Sequence, residues 1–276
     1  MPALITPFTR AGDIDIEAHT ANLGALADTG IEGFVIGGSN GEGPYLEPGE
    51  RQRLVKAGRR RKAHFMVGIA AESTRVALNQ VKEAADGGAD TILALTPTTL
   101  SRGRDEAMLR FYRAIADASP LPVFLYSVPN VTAYSLPVEL VSKLAKHENI
   151  VGMKDSSGDV VRLQSIIDAA PAGFILYCGS SRALTAAITI GCHGAITGSG
   201  NYVPDLVLET LAAAKESPAS ARKLQRQLSE ISAYVEAHGI PGVKAAARAA
   251  GLEPGHPREP LARLSHGAET SIAKLI

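Results

Sequence analysis

Eight short apolar runs recur along the chain, each flanked by glycine or proline and followed by a longer stretch with helical periodicity. They cover residues 3–6, 33–36, 65–69, 91–95, 123–126, 150–154, 174–177 and 194–197. Runs this short, closed off by turn residues and alternating with helical segments, are the pattern of βα units around a parallel sheet buried on both faces. The fold this predicts is α/β: a (β/α)8 TIM barrel with a C-terminal helical extension. A doubly wound open sheet would place a glycine-rich phosphate turn after its first strand. Here that turn reads Pro7-Phe8-Thr9-Arg10, and Gly198-Ser199-Gly200 after the last run is too short to replace it. The length of 276 residues suits one such barrel. Residues 1–204 supply the strands and most barrel helices, and 205–276 supply the last barrel helix and a cap in the same domain.

Helix ends are legible between the runs. Glu72-Ser73-Thr74-Arg75 opens a helix with a capping hydroxyl, Val76, Val81 and Ala84 give it an apolar face, and Gly87-Gly88 ends it. Pro137 starts another, since its missing N–H is harmless in a first turn. After Pro204 the chain reads as helix over 205–215, 219–238 and 241–250, then bends through the Pro- and Gly-rich stretch 253–260.

Charge narrows the partner. Twenty-eight basic residues balance 28 acidic ones, so no positive field exists to hold nucleic acid or an anionic membrane. A small-molecule partner fits better. The opening residues carry no basic segment followed by an apolar run, and no apolar stretch of about 18 residues appears, so a cytoplasmic location is expected. Cys178 and Cys192 sit in apolar surroundings and read as buried free thiols. The seven histidines are scattered without ligand spacing, and neither a Walker loop nor a Gly-x-Ser-x-Gly elbow occurs, so neither a metal nor a cofactor is expected.

In a barrel the reactive groups come from the C-terminal ends of the strands and the loops beyond them. Lys154 ends the sixth run behind Ile-Val-Gly-Met, which puts an amine at the barrel mouth above apolar walls, where the neutral form can attack a carbonyl. A strand-end lysine standing alone is ordinarily just the first solvated residue. Tyr126 changes that reading: it ends the fifth run one unit earlier (154 − 126 = 28 residues), so adjacent strands put phenol and amine side by side. Gly37-Gly38-Ser39-Asn40-Gly41-Glu42-Gly43, after the second run, could cradle a carboxylate with its backbone and its two polar side chains.

These motifs, with Leu125-Tyr126-Ser127-Val128-Pro129 and Val151-Gly152-Met153-Lys154-Asp155, resemble those of the dihydrodipicolinate synthase and N-acetylneuraminate lyase family from Leu4 to about Leu264. The resemblance implies a class I aldolase mechanism, in which Lys154 forms an imine with C2 of pyruvate or a related 2-oxo acid and Tyr126 shuttles protons. It implies that Ser39 and Asn40 bind the substrate carboxylate, that Gly179 and Ile196 line the pocket through their backbones, and that the assembly is a homotetramer, a dimer of dimers. The wording, including Gly239-Ile240-Pro241-Gly242-Val243-Lys244, is nearest to 4-hydroxy-2-oxoglutarate aldolases, which release pyruvate and glyoxylate. Alternatives are 4-hydroxy-tetrahydrodipicolinate synthase and a 2-keto-3-deoxy sugar acid aldolase or dehydratase; a non-catalytic barrel that binds a 2-oxo acid is the reading of another class. Two departures bear on this choice. Val131 stands where the synthases carry an arginine for the aldehyde's carboxylate, and Thr98-Thr99 replace a tyrosine pair, with Thr99 or water as the substitute relay.

Overall fold

Seven of the eight apolar runs become strands of one parallel sheet in the computed structural model, which describes residues 1–31, 33–59 and 62–276. The strands are β1 (Gly33–Ile36), β2 (His64–Ile69), β3 (Thr91–Leu95), β4 (Val123–Ser127), β5 (Ile150–Asp155), β6 (Ile175–Cys178) and β7 (Gly194–Ala195). They lie in sequence order across the sheet. Each parallel step needs a crossover, and helices supply it. Helix α1 (Ile16–Ala27) precedes β1. After β1 to β6 come α2 (Glu50–Gly58), α3 (Thr74–Gly87), α4 (Asp105–Ala118), the short α5 (Pro129–Thr132) with α6 (Val138–Leu144), α7 (Val160–Ala169) and α8 (Leu184–Thr189).

The expected first strand, 3–6, is instead a bridging segment. Ala3 N–H donates to Thr197 O and Leu4 N–H to Val35 O, each at 2.9 Å, so the segment bonds to both edges of the sheet and completes the ring. Its ladder stops there because Pro2 has no N–H, Ile5 N–H turns to Asn201 Oδ1 at 3.1 Å, and the Thr6 hydroxyl donates to Gly41 O at 2.7 Å. A side chain is thus holding the backbone where a neighbouring strand would otherwise do so.

Strand residues divide by parity. Val35, Met66, Leu93, Leu95, Phe124 and Tyr126 form one buried cluster with Ile196. Their alternates Phe34, Ile36, Phe65, Val67, Ile92, Ala94, Leu125 and Met153 belong to the larger cluster that includes the helices. Side chains of period two point to opposite faces, so the first set fills the ring and the second packs beneath the helical layer.

Local chemistry sets the helix ends as expected at several points. The Ser73 hydroxyl accepts from Val76 N–H to start α3, and Gly88, in the left-handed region, closes it. Ala77, Val81 and Ala84 form its buried face, whereas Val76 is exposed. The spacing explains this correction: 77, 81 and 84 follow the i, i+4, i+7 stripe and 76 does not. Pro137 is the N-cap of α6. Cys178 and Cys192 are buried and free.

Beyond β7 the chain is helical through α9 (Pro204–Glu216), α10 (Pro218–Glu236) and α11 (Gly239–Ala249), with α12 (His266–Ala273) after a loop. A buried polar cluster fastens this tail to the ring. The Lys244 ammonium contacts the Glu42 carboxylate at 2.6 Å and donates to Thr6 O at 2.8 Å and His256 O at 2.6 Å. Arg258 N–H donates to the other Glu42 oxygen at 2.8 Å, and its guanidinium grips both oxygens of Glu50 at 2.6 and 2.7 Å. The α10–α11 corner is thereby drawn towards the loop after β1. Among the described residues, no helix is long and apolar enough to cross a membrane.

Candidate active site

The register of β4 and β5 decides the central contact. Tyr126 pairs with Lys154 across the parallel ladder, so both side chains leave the sheet at one level and on one face. Lys154 Nζ donates to the Tyr126 phenol at 3.3 Å and lies 4.4 Å from the centre of its ring. The Ser39 hydroxyl, from the loop after β1, shares a hydrogen bond of 3.2 Å with the same phenol. Three groups far apart in sequence therefore meet through one oxygen. Burial alone would raise the Tyr126 phenol, but the charge of Lys154 and the hydroxyls and amine of Ser39, Lys154 and Ser156 outweigh it and hold the phenol below its ordinary value.

Small residues make this approach possible. A Cβ at Gly179 would stand 2.0 Å from Ser156 Oγ and 2.8 Å from Lys154 Cε, so glycine is required where the lysine stem passes. A Cβ at Gly152 would stand 2.4 Å from the Phe124 ring, which lies below Tyr126 on β4. Behind the site, Asp155 is wholly buried, accepts from Arg162 Nε at 2.9 Å and from Ser157 N–H at 2.9 Å, and also takes the Ser157 hydroxyl. Thr96 donates to Tyr126 O at 2.9 Å and shares a 3.0 Å hydrogen bond with the Tyr112 hydroxyl. These bonds pin the ends of β4 and β5, and with them the phenol and the amine.

The expected residues do not all converge. Ser39 and Asn40 line a cavity of about 330 Å³ together with Leu95, Val131, Glu236 and Ile240, the last two from the tail. Asn40 passes so close to Gly198 that a Cβ there would stand 2.7 Å from its amide nitrogen. Gly179 abuts the lysine, as described. Ile196 places its side chain in the inner cluster while its N–H donates to Cys178 O at 2.9 Å. Thr99 lies apart from these groups. Its hydroxyl and N–H bind one Glu72 oxygen at 2.5 and 3.0 Å, Thr98 binds the other in the same manner, and together they hold the Glu72 carboxyl down to about 2 against the upward pull of its burial.

Two further residues at the site were not singled out from sequence. Ser156 Oγ is buried beside Lys154 with no well-formed hydrogen bond, yet near enough to the Tyr126 phenol to help hold it down. Its place two residues beyond the lysine on a strand end was the available signal. Glu236 enters the cavity from α10, where a charged residue reads as ordinary solvated surface.

Amine, phenol and hydroxyl in hydrogen-bonded contact beside a cavity can form an imine and move protons at it. The comparisons agree with that chemistry. The chain matches the dihydrodipicolinate synthetase family over residues 1–276. It is 34% identical to a 4-hydroxy-tetrahydrodipicolinate synthase of Methanosarcina mazei, over 99% of this chain and 95% of that protein. It is 33% identical to one from an Exiguobacterium species, over 98% and 94%. Among solved structures it resembles a dihydrodipicolinate synthase from Bacillus anthracis, with a TM-score of 0.94 and 28% identity over 99% of this chain and 95% of that one. It also resembles an E. coli K12 prophage protein of the dihydrodipicolinic acid synthase family in complex with pyruvate, with a TM-score of 0.92 and 26% identity over the same shares. The names of these relatives agree with the second of the expected activities, the synthase, rather than with the 4-hydroxy-2-oxoglutarate aldolase placed first. The chain belongs to the dihydrodipicolinate synthetase family, as an enzyme of the Schiff-base lyase type.

Proposed function

We propose that this chain carries a pyruvate-type 2-oxo acid as an imine on Lys154 and makes or breaks the carbon–carbon bond at C3 of that acid. The observation that carries the reading is the meeting of Lys154, Tyr126 and Ser39 at one phenol oxygen. The amine adds to the C2 carbonyl, water leaves, and the protonated imine accepts the electron pair of the cleaved or deprotonated C3 bond. Tyr126, with its phenol held below the ordinary value, passes protons to and from the nitrogen and the departing oxygens. Ser39 and Asn40 take the C1 carboxylate, and the backbones of Gly179 and Ile196 bound the pocket. Thr99, committed to Glu72, would serve as a relay only after exchanging that partner. The assembly is a homotetramer in this reading, which light scattering tests.

For the acceptor, the relatives' names support condensation of pyruvate with aspartate semialdehyde. One observation favours a second reading, cleavage of a 4-hydroxy-2-oxo acid: Val131, at the cavity wall, is 63% exposed and offers no bidentate anchor for an aldehyde's carboxylate. One preparation decides between them. Borohydride with pyruvate should add a stable mass at Lys154, and catalytic efficiencies for aspartate semialdehyde condensation and 4-hydroxy-2-oxoglutarate cleavage should then be measured side by side. An adduct mapped to another residue sinks the imine reading. The faster reaction names the acceptor.

A further inference from the structure

The cavity that Ser39 and Asn40 line carries an unassigned charge. Two carboxylates line this cavity, Glu42 and Glu236, and no lysine or arginine is among its described lining residues. Glu42 is already neutralised: Lys244 contacts one of its oxygens at 2.6 Å and Arg258 N–H donates to the other at 2.8 Å. Glu236 has no such partner. Among the described residues no ion pair reaches it, and the hydrogen bond it receives is from the Ser181 hydroxyl at 3.4 Å.

That hydroxyl is itself held in place. Ser181 shares a 2.9 Å hydrogen bond with Ser199, which shares one of 3.0 Å with Thr197, and all three residues are buried. This run of hydrogen bonds links Thr197, two residues beyond β7, to Glu236 at the end of α10. Glu236 still presents surface at the open mouth, but its carboxyl group is sunk far enough that burial raises it, against the fields of Arg182 and Lys154 and the Ser181 hydrogen bond. A carboxylate poised in this way favours a ligand atom that brings a proton or a positive charge, and disfavours a second carboxylate.

We propose that Glu236 is a specificity-determining residue for the distal half of the substrate, accepting a hydrogen bond from a hydroxyl or ammonium group on the acceptor aldehyde. This rests on the imine reading, since Lys154 must hold the 2-oxo acid for the acceptor to lie in this cavity. Ser39 and Asn40 line the same cavity, so a molecule anchored there by C1 shares its space with Glu236. Val131 adds only an apolar surface to this cavity.

The test uses two matched pairs of aldehydes with pyruvate. Aspartate semialdehyde and succinic semialdehyde differ by one amine; glyceraldehyde and propionaldehyde differ by two hydroxyls. Wild type should prefer the donor-bearing member in at least one pair by about tenfold in catalytic efficiency, and Glu236→Ala should shrink that preference to about twofold or less. Glu236→Asp, which keeps the charge on a shorter arm, should restore part of it. Borohydride trapping of pyruvate at Lys154 is followed in all three proteins and should persist in both variants. A wild type with no adduct overturns the imine reading and this inference with it. An adduct accompanied by a preference that Glu236→Ala leaves untouched, or by no preference in wild type, overturns this inference alone.

Discussion

Lys154 and Lys244 are both nearly sealed from solvent, at 4% and 1% exposure, yet their surroundings could hardly differ more. Lys244 has a carboxylate oxygen and two backbone carbonyls within 2.8 Å, with the Phe8 ring 4.9 Å away. Lys154 has a phenol at 3.3 Å and the face of the same ring, with the Ser156 hydroxyl close by. Burial therefore does not mark a reactive amine. What marks it is burial with bonding capacity left over, since an ammonium held by fixed acceptors keeps its protons and exposes no lone pair to attack a carbonyl. Even for Lys244, burial pulls the pKa down to about 8 against the opposing pull of Glu42.

The comparison predicts opposite failures. Lys154→Ala should abolish turnover and pyruvate trapping while leaving the urea midpoint close to wild type; a large loss of stability would show that this amine, too, is a structural one. Lys244→Met should do the reverse, costing about 3–5 kcal/mol of stability because Glu42 is left buried and unpaired. Adding Glu42→Gln should recover part of that loss. If Lys244→Met unfolds at the wild-type midpoint, the fastening of the tail lies elsewhere, with Arg258 and Glu50 the remaining candidates.

Tyr126→Phe sharpens the reactive side. It should lower turnover by about a hundredfold or more with the fold intact, as expected for loss of a general acid–base group. A rate near wild type would reduce the phenol to packing.

The smallest effect concerns another buried nitrogen base, His19 on α1, which tests the idea that a buried group is tolerated when its charge state suits its partners. Its Nε2 lies 3.2 Å from Leu54 O and its Nδ1 has no partner, so the neutral ring fits and the cation does not. Burial pulls its pKa down to about 4, with the Leu54 contact opposing. The unfolded chain then binds the extra proton first, and stability is lost as pH falls from about 6.5 towards 4, amounting to about 2 kcal/mol between pH 7 and 5. Denaturant unfolding of wild type and His19→Gln at both pH values checks this. The variant should lack that portion of the acid sensitivity.

Most strands could be read in the sequence because a run such as Thr91–Leu95, bounded by turn residues, has one way to hide its four apolar side chains. The Lys154 and Tyr126 pair was legible for a related reason: equal βα spacing puts the ends of neighbouring strands at one level, and the ladder pairs these two residues. The segment at 3–6 was not, because whether it forms a ladder depends on Asn201, which takes Ile5 N–H from across the ring. Thr99 looked available because its capture by Glu72, 27 residues away, leaves no trace in either local pattern.

By itself, the sequence determined the βα alternation, the helix caps at Ser73 and Gly88, and the two residues proposed to do the covalent chemistry. All of these follow from backbone periods and capping bonds that act within a few residues, or from a spacing repeated along the chain. The tertiary structure alone decided that Glu236 faces the cavity, that Lys244 is spent on Glu42, and that Val131 stands at the wall. Those outcomes depend on how the tail, with Glu236 82 residues beyond Lys154 (236 − 154 = 82), folds back towards the strand ends. Such a placement is set by packing and buried ion pairs between distant segments, for which no local period exists.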